Sequence, residues 1–245
     1  MVFLPIPGNR KTGRAEEAGI IVMEKRGGGA LDRFTEIDKE TWPRRELFER
    51  YTKSWMEMTF SASVKLRAEN LVKWQKERRQ ELIPALLYIF SREISKDQAF
   101  TIAVKDGVLG YWDKMHPLYP VLRDDGNFTF HTSPVDGDYA SFYSAYLREK
   151  AENADKTGAY ASLLPVNGYI IYIMPYFAFD SFSFSLKNVK NFFAPIISIG
   201  QYDENYLLPV AATVNHAVCD GYHLSELFRR IQVSFDHPED WCVGC

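Results

Sequence analysis

The segment Asn215-His216-Ala217-Val218-Cys219-Asp220-Gly221-Tyr222-His223 is the densest local gathering of chemistry-bearing side chains in this 245-residue chain. It follows a run of strand-forming residues and precedes a helical pattern, so it is expected at a strand-to-helix turn, where functional loops of α/β folds are found. Gly221 permits a backbone shape that other residues resist. A neutral imidazole at His216 can take a proton from a hydroxyl or an amine near pH 7. Asp220 lies four residues on. In a helix the two would share a face, but here the turn decides whether they meet. Asp220 could hold His216, hold a basic side chain from elsewhere, or cap the helix that begins near Tyr222. A satisfied buried histidine and a plain helix cap are the bland readings of the same two residues.

Other candidates are weaker. Cys219 has no evident activating partner and reads as a small buried side chain. His223 falls in the first turn of the following helix, on the surface. His116, beside Pro117, reads as a loop residue, His131 sits in an aromatic stretch, and His237 is expected in solvent near the tail. Asp124-Asp125 and Glu16-Glu17 look like solvated loop carboxylates. No Gly-x-Ser-x-Gly or His-Glu-x-x-His is present, and Cys242-x-x-Cys245 has no second pair to complete a zinc site. No metal is expected.

Composition sets the frame for these residues. Hydrophobic residues are 46% and charged residues 25%, enough for a self-sufficient core. The formal net charge is −3, which argues against broad binding to nucleic acid or to an anionic membrane. Three cysteines in 245 residues fit a reducing, cytoplasmic setting. The start of the chain lacks the apolar stretch of a signal peptide, and no apolar run approaches 18 residues. Aromatic residues reach 15%, which suits either a β-rich core or a ring-lined pocket.

The elements that would position the cluster follow from periodicity. Residues 1–33 read as an appendage broken by Gly27-Gly28-Gly29, with a short strand possible at Gly19–Met23. Residues 34–235 form the main domain, and 236–245 a tail. A helix is expected from about Trp42, capped by Thr41, with Pro43 in its first turn and Leu47, Phe48, Tyr51 and Trp55 on one face. Met58–Leu66 reads as a strand, Ala68–Gln80 as a helix, and Pro84–Ser95 as a buried helix. Phe100–Val104 and Val108–Trp112 form a hairpin around Lys105-Asp106-Gly107. Tyr139–Ala154 is an amphipathic helix. Tyr169–Met174, Phe179–Ser185, Ile196–Gln201 and Leu207–Thr213 are strands, and His223–Phe235 is the last helix, with Leu224, Leu227, Phe228 and Ile231 inward. No Gly-rich loop follows a first strand, so a dinucleotide-binding fold is not expected. The pattern describes a mixed sheet covered by helices.

On these residues the chain resembles the chloramphenicol acetyltransferases. His216-Ala217-Val218-Cys219-Asp220-Gly221 matches their His-x-x-x-Asp-Gly signature. Four further blocks follow the family order: Trp42-Pro43-Arg44-Arg45-Glu46-Leu47-Phe48, the hairpin of Val104–Gly107 with Tyr111-Trp112-Asp113, Phe179-Asp180-Ser181-Phe182, and Asn191–Ile197. The resemblance implies an α/β fold, a two-layer sandwich of mixed β-sheet and helices of the CoA-dependent acyltransferase type. It implies a homotrimer with active sites between subunits, acetyl-CoA as acyl donor, and a small alcohol such as chloramphenicol as acceptor, hence a role in antibiotic resistance. It makes His216 the general base and pairs Asp220 with Arg44. It puts Tyr51 near the acceptor, and puts Ser198 where the family has a threonine that orders water. The family ring that contacts the acceptor falls on Phe128 or Phe130. One position departs: the family serine that supports the oxyanion, three residues before a proline, is Tyr172 here. That departure keeps two other readings open: a repurposed lyase, cyclase or isomerase on the same scaffold, and a non-catalytic small-molecule binding protein.

Overall fold

A computed structural model describes residues 32–53, 57–161, 164–187 and 191–242. The expected strand at Gly19–Met23 and the position of Trp55 lie outside the described residues. The described residues form two sheets. The smaller joins β1 (Phe34–Glu36), β3 (Ile102–Lys105) and β4 (Val108–Trp112) in the order β1-β4-β3, all antiparallel. Its hairpin turns at Asp106 and Gly107, both with positive φ (52° and 80°). That is the geometry of the tight turn which matches strand twist, and it explains the Asp-Gly pair.

The larger sheet carries the site. It joins β2 (Thr59–Arg67), β5 (His116–Leu122), β6 (Phe128–Thr132), β7 (Gly168–Ile173), β8 (Ile196–Ile199) and β9 (Leu207–Asn215). The order is β2-β9-β8-β7-β5-β6, with β5-β7 and β7-β8 parallel and the rest antiparallel. This is the mixed α/β sheet expected from the sequence. Five α-helices are described: α1 (Arg45–Lys53), α2 (Glu69–Glu77), α3 (Leu82–Ser95), α4 (Tyr139–Glu152) and α5 (Gly221–Asp236). None is long and apolar enough to cross a membrane.

One face of the sheet makes the core. Ile171, Ile197, Val210 and Ala212 are fully buried there, as are Leu87, Ile89 and Phe90 of α3 and Leu227 and Ile231 of α5. Tyr169 is buried with them and tolerates it because its hydroxyl meets Ser91 Oγ at 2.9 Å. The opposite face carries Tyr172, Ser198, Ala211 and Ser63, paired strand to strand in one row. Side chains alternate along a strand, so a fully buried Ile171 sends Tyr172 to that outer face.

Several expectations are corrected. Strands β5 and β6 escaped the sequence reading, and His116 opens β5, buried, rather than sitting in a loop. Pro117 and Pro120 disguised the strand. His116 N–H bonds to Asn167 O on the β7 side. By alternation Pro117 faces the β6 side before that pairing begins, and Pro120 faces the β7 side after that pairing has ended. Neither missing N–H breaks the ladder. Phe179–Ser185 is extended but joins neither sheet. It crosses the outer face, held by Phe182 N–H to Ser63 Oγ (3.2 Å) and Phe184 N–H to Thr213 Oγ1 (3.4 Å). Helix α1 starts at Arg45, later than expected, because Thr41 bonds back to Asp38 Oδ2 instead of capping it. Leu47 is exposed, while Phe48 packs on Trp42 and Phe193.

Candidate active site

Strand β9 delivers His216 and α5 begins five residues later, so the catalytic candidates sit on a short turn. Asn215 shapes it: its backbone carbonyl accepts from Val218 and Cys219 N–H, and its Oδ1 accepts from Ala217 N–H at 2.9 Å. His216 N–H extends the pairing with β2 by bonding to Met58 O (2.8 Å). The turn is therefore fixed before any side chain acts.

Arg44, just ahead of α1, grips this turn from across the chain. Its Nε donates to Ala217 O (2.9 Å), its Nη2 to His216 O (3.0 Å) and its Nη1 to Asp220 Oδ2 (2.9 Å). One planar guanidinium thus holds two carbonyls and a carboxylate, a fork that lysine cannot make. Asp220 also caps α5, accepting from Tyr222 N–H (3.1 Å). Of the three roles open to it from sequence, two are filled, and the contact with His216 is not among them. Burial pushes the Asp220 carboxyl up, but Arg44 and His223 outweigh it and hold the group at about 2. His223 Nδ1 lies 2.8 Å from Oδ1 and 3.2 Å from the Asp220 N–H, which closes a capping box at the start of α5. His223 is half-buried in this network, not a free surface residue as the sequence suggested.

His216 itself is held by Cys219. Its Nδ1 lies 2.9 Å from Cys219 O, and a carbonyl only accepts, so Nδ1 bears the proton. In the neutral ring Nε2 is left as a bare lone pair. The ring lies against Tyr51 (centroids 4.8 Å apart) and edge-on to Phe60 (5.1 Å). Burial first of all pushes the Cys219 thiol far above its ordinary value, so it is no nucleophile. Among the described residues no group of three or more His, Cys, Asp and Glu side chains could hold a metal ion.

The other candidates form a second group on the outer sheet face. Tyr172 stands beside Ser198 in register. Its ring touches Phe184 (5.0 Å) and meets Phe130 edge-on (6.2 Å), and Phe130 in turn meets Phe128 (5.5 Å). Burial raises the Tyr172 phenol pKa, keeping it a donor. Within the chain the two groups are apart. His216 is five residues beyond Ala211, the β9 residue in the row of Tyr172, and two strands to the side, a separation of about 19 Å from standard sheet spacings. Arg44, Tyr51, His216 and Asp220 are thus brought together, as are Tyr172, Ser198, Phe128 and Phe130, but the two sets do not meet in one chain. The sequence reading placed Asn215 in the cluster without giving it a role, and it missed Phe60 and Phe184 as site residues. The alternating Phe182, Phe184 and Leu186 between serines was the available signal for Phe184.

The chain matches the chloramphenicol acetyltransferase family over residues 32–232. A chloramphenicol acetyltransferase of Staphylococcus aureus is 32% identical over 219 residues, covering 86% of this chain and 99% of its own. One of Escherichia coli is 30% identical over 226 residues, covering 91% and 100%. A solved chloramphenicol acetyltransferase superposes with a TM-score of 0.69 at 20% identity, covering 82% of this chain and 99% of its own. A dihydrolipoamide acetyltransferase of Azotobacter vinelandii shares the fold with a TM-score of 0.56 at 14% identity, covering 77% and 86%. The histidine turn held by Arg44, the mixed sheet beneath it and the agreement over most of the sequence place this chain in the chloramphenicol acetyltransferase family, as an acyltransferase.

Proposed function

We propose that this protein transfers an acetyl group from acetyl-CoA to the hydroxyl of a small alcohol such as chloramphenicol, with His216 as general base. The observation that carries this reading is the Nδ1–H bond from His216 to Cys219 O, which leaves Nε2 free to accept a proton. Nε2 takes the acceptor's hydroxyl proton as the oxygen attacks the thioester carbonyl. The C–S bond then breaks, and the departing thiolate recovers that proton from the imidazolium. Tyr172, or a water held on Ser198, meets the oxyanion between these steps. Asp220 and Arg44 keep the turn in shape and do not handle the proton. Tyr51, Phe128 and Phe130 contact the acceptor.

The separation of about 19 Å between His216 and Tyr172 supports a site completed between protomers of a homotrimer, with the outer face of one chain near the histidine turn of the next. Among the described residues strand β2 lies at the edge of the sheet, and a cleft of about 780 Å³ lies between it and residues 180–186. Both suit a neighbouring chain better than bulk water.

Incubation with acetyl-CoA and chloramphenicol, followed by free-thiol detection, tests the reading. Release above background supports it, and no release with chloramphenicol or with a panel of other alcohols overturns it. Tyr172 favours a second reading, a different reaction on the same scaffold: the family resemblance implies a small donor at this position, and the ring here packs on Phe184. An inactive wild type whose Y172S variant also gains no acetylation and binds no CoA supports that alternative.

A further inference from the structure

Beside Tyr172 the structure carries a second phenol that neither the sequence motifs nor the family reading uses. Tyr160 follows Gly158, whose φ of +104° suits glycine and turns the chain back along β6. Residues 159–161 then run parallel to β6: Phe130 N–H donates to Ala159 O (2.8 Å) and Ala161 N–H to Phe130 O (2.9 Å). Arg123 pins the same segment. Its Nη1 donates to Gly158 O (3.2 Å) and Thr129 Oγ1 (2.8 Å), and Thr129 Oγ1 donates to Gly158 O (2.9 Å). Asp125 holds the other side of the guanidinium at 2.9 and 3.2 Å. The backbone bonds and the arginine clamp together fix a segment whose main apolar product is the Tyr160 ring, stacked on Phe130 at 5.9 Å and 28°, yet 51% exposed.

Phe130 therefore has a phenol on two sides, Tyr160 stacked and Tyr172 edge-on. Neither hydroxyl has a hydrogen-bond partner among the described residues. The two phenols are close enough that, after burial, Tyr160 is the further cause raising the pKa of Tyr172. Arg123 is neutralised by Asp125, so the place offers rings and neutral donors and no free positive charge. That chemistry suits an uncharged aromatic group better than a phosphate.

We propose that Tyr160, positioned by Arg123, is an acceptor-specificity residue: with Tyr172 it frames Phe130 and binds the aryl group of an aromatic alcohol that carries a hydrogen-bond acceptor on its ring. The proposal rests on the acyl-transfer reading for what happens to that alcohol, but its test is binding. Chloramphenicol is titrated into the full chain without acetyl-CoA, so nothing turns over. Y160F, which keeps the ring, weakens binding about fivefold, the size of one neutral hydrogen bond. Y160A weakens it about tenfold or more. R123A weakens it too, and R123A added to Y160A has no further effect, because both act through one ring. Acetyl-CoA affinity stays within about twofold of wild type in each variant. Y160F and Y160A both binding chloramphenicol as wild type does would overturn the proposal. An equal loss of acetyl-CoA affinity, or a wild type that binds neither chloramphenicol nor 4-nitrobenzyl alcohol, also overturns it. Failure of the acyl-transfer reading looks different: wild type binds the alcohol, Tyr160 variants weaken it, and no thiol is released with any acceptor.

Discussion

Replacing Asp220 with asparagine separates a structural anchor from a proton carrier. The carboxylate accepts from Arg44 Nη1 on Oδ2 and from Tyr222 N–H on Oδ1, with His223 Nδ1 2.8 Å from Oδ1. An amide has one acceptor oxygen. If it replaces Oδ1, its NH₂ faces Arg44, and if it replaces Oδ2, its NH₂ faces the helix start. Either way a hydrogen bond to a charged group is lost, typically about 1.5–3 kcal/mol. The carboxyl's own titration gives an independent figure. Lowering it from 3.8 to about 2 is worth about 2 kcal/mol at neutral pH as an upper bound. A third of the side chain is exposed (33%), so screening brings this to about 1–2 kcal/mol. For a chain of this size D220N should melt about 2–8 °C below wild type at pH 7. The pH dependence has a fixed sign. The folded carboxyl binds its proton less readily than the unfolded one. Its stabilisation is complete above pH about 4 and is lost as pH falls toward 2, so the gap between the two proteins closes over that window. Circular dichroism melts of both proteins from pH 7 to pH 2.5 measure it. Equal melting points at pH 7, or a gap that widens on acidification, would refute the anchor.

H216A removes a half-buried ring that contacts Tyr51 and Phe60 but leaves Arg44, Asn215 and Asp220 in place; its melting point should stay within about 2 °C of wild type while acetyl transfer falls by about 10²–10⁴, read from thiol release. Y172S opens the space beside Ser198 and is expected to raise kcat/KM for chloramphenicol acetylation by about tenfold or more, and a fall would show that the phenol serves as an oxyanion donor. Light scattering should give a species near about 85 kDa, three copies of 28.3 kDa, and a stable monomer would leave His216 without its second wall.

The sequence exposed most elements because their signals are local. The turn at Asp106-Gly107, the apolar run of α3 and the 3.6-residue spacing of Leu224, Leu227, Phe228 and Ile231 each need only their own neighbours. Strand β5 was hidden because two prolines are acceptable there only by virtue of where β6 and β7 start and stop, which no local window contains. Phe179–Ser185 failed the other way. Its alternation is genuine, with Phe182, Phe184 and Leu186 turned inward, but alternation does not guarantee a ladder partner. In the site, Asp220 as a helix cap was legible from the adjoining helix, whereas its hold on Arg44 spans 176 residues and came only with the family likeness. Tyr160 left no sequence signal, because its display depends on Arg123 reaching a carbonyl 35 residues away.

The two faces of the large sheet divide the work. The inner face is filled by Tyr169, Ile171, Ile197, Val210 and Ala212 against α3 and α5, and burial there supplies stability. The outer face is built from small and hydroxyl-bearing residues on β2, β9 and β8 (Ser61, Ser63, Thr213, Ala211 and Ser198), and from rings on β7 and β6. A face of that kind gains little by covering itself. The segment laid across it is held through side-chain hydroxyls rather than a backbone ladder, and a cleft remains beneath. The contrast between adjacent residues follows. Ile171 is fixed by the core and has little freedom to vary without loss of stability, while Tyr172, one residue on, packs only against rings of the outer face, Phe130 and Phe184. A change from a small donor to a phenol can therefore enter this fold with little cost to stability. Its consequence falls on the outer face, where the ring meets Phe130 and Phe184 and Phe130 stacks on Tyr160.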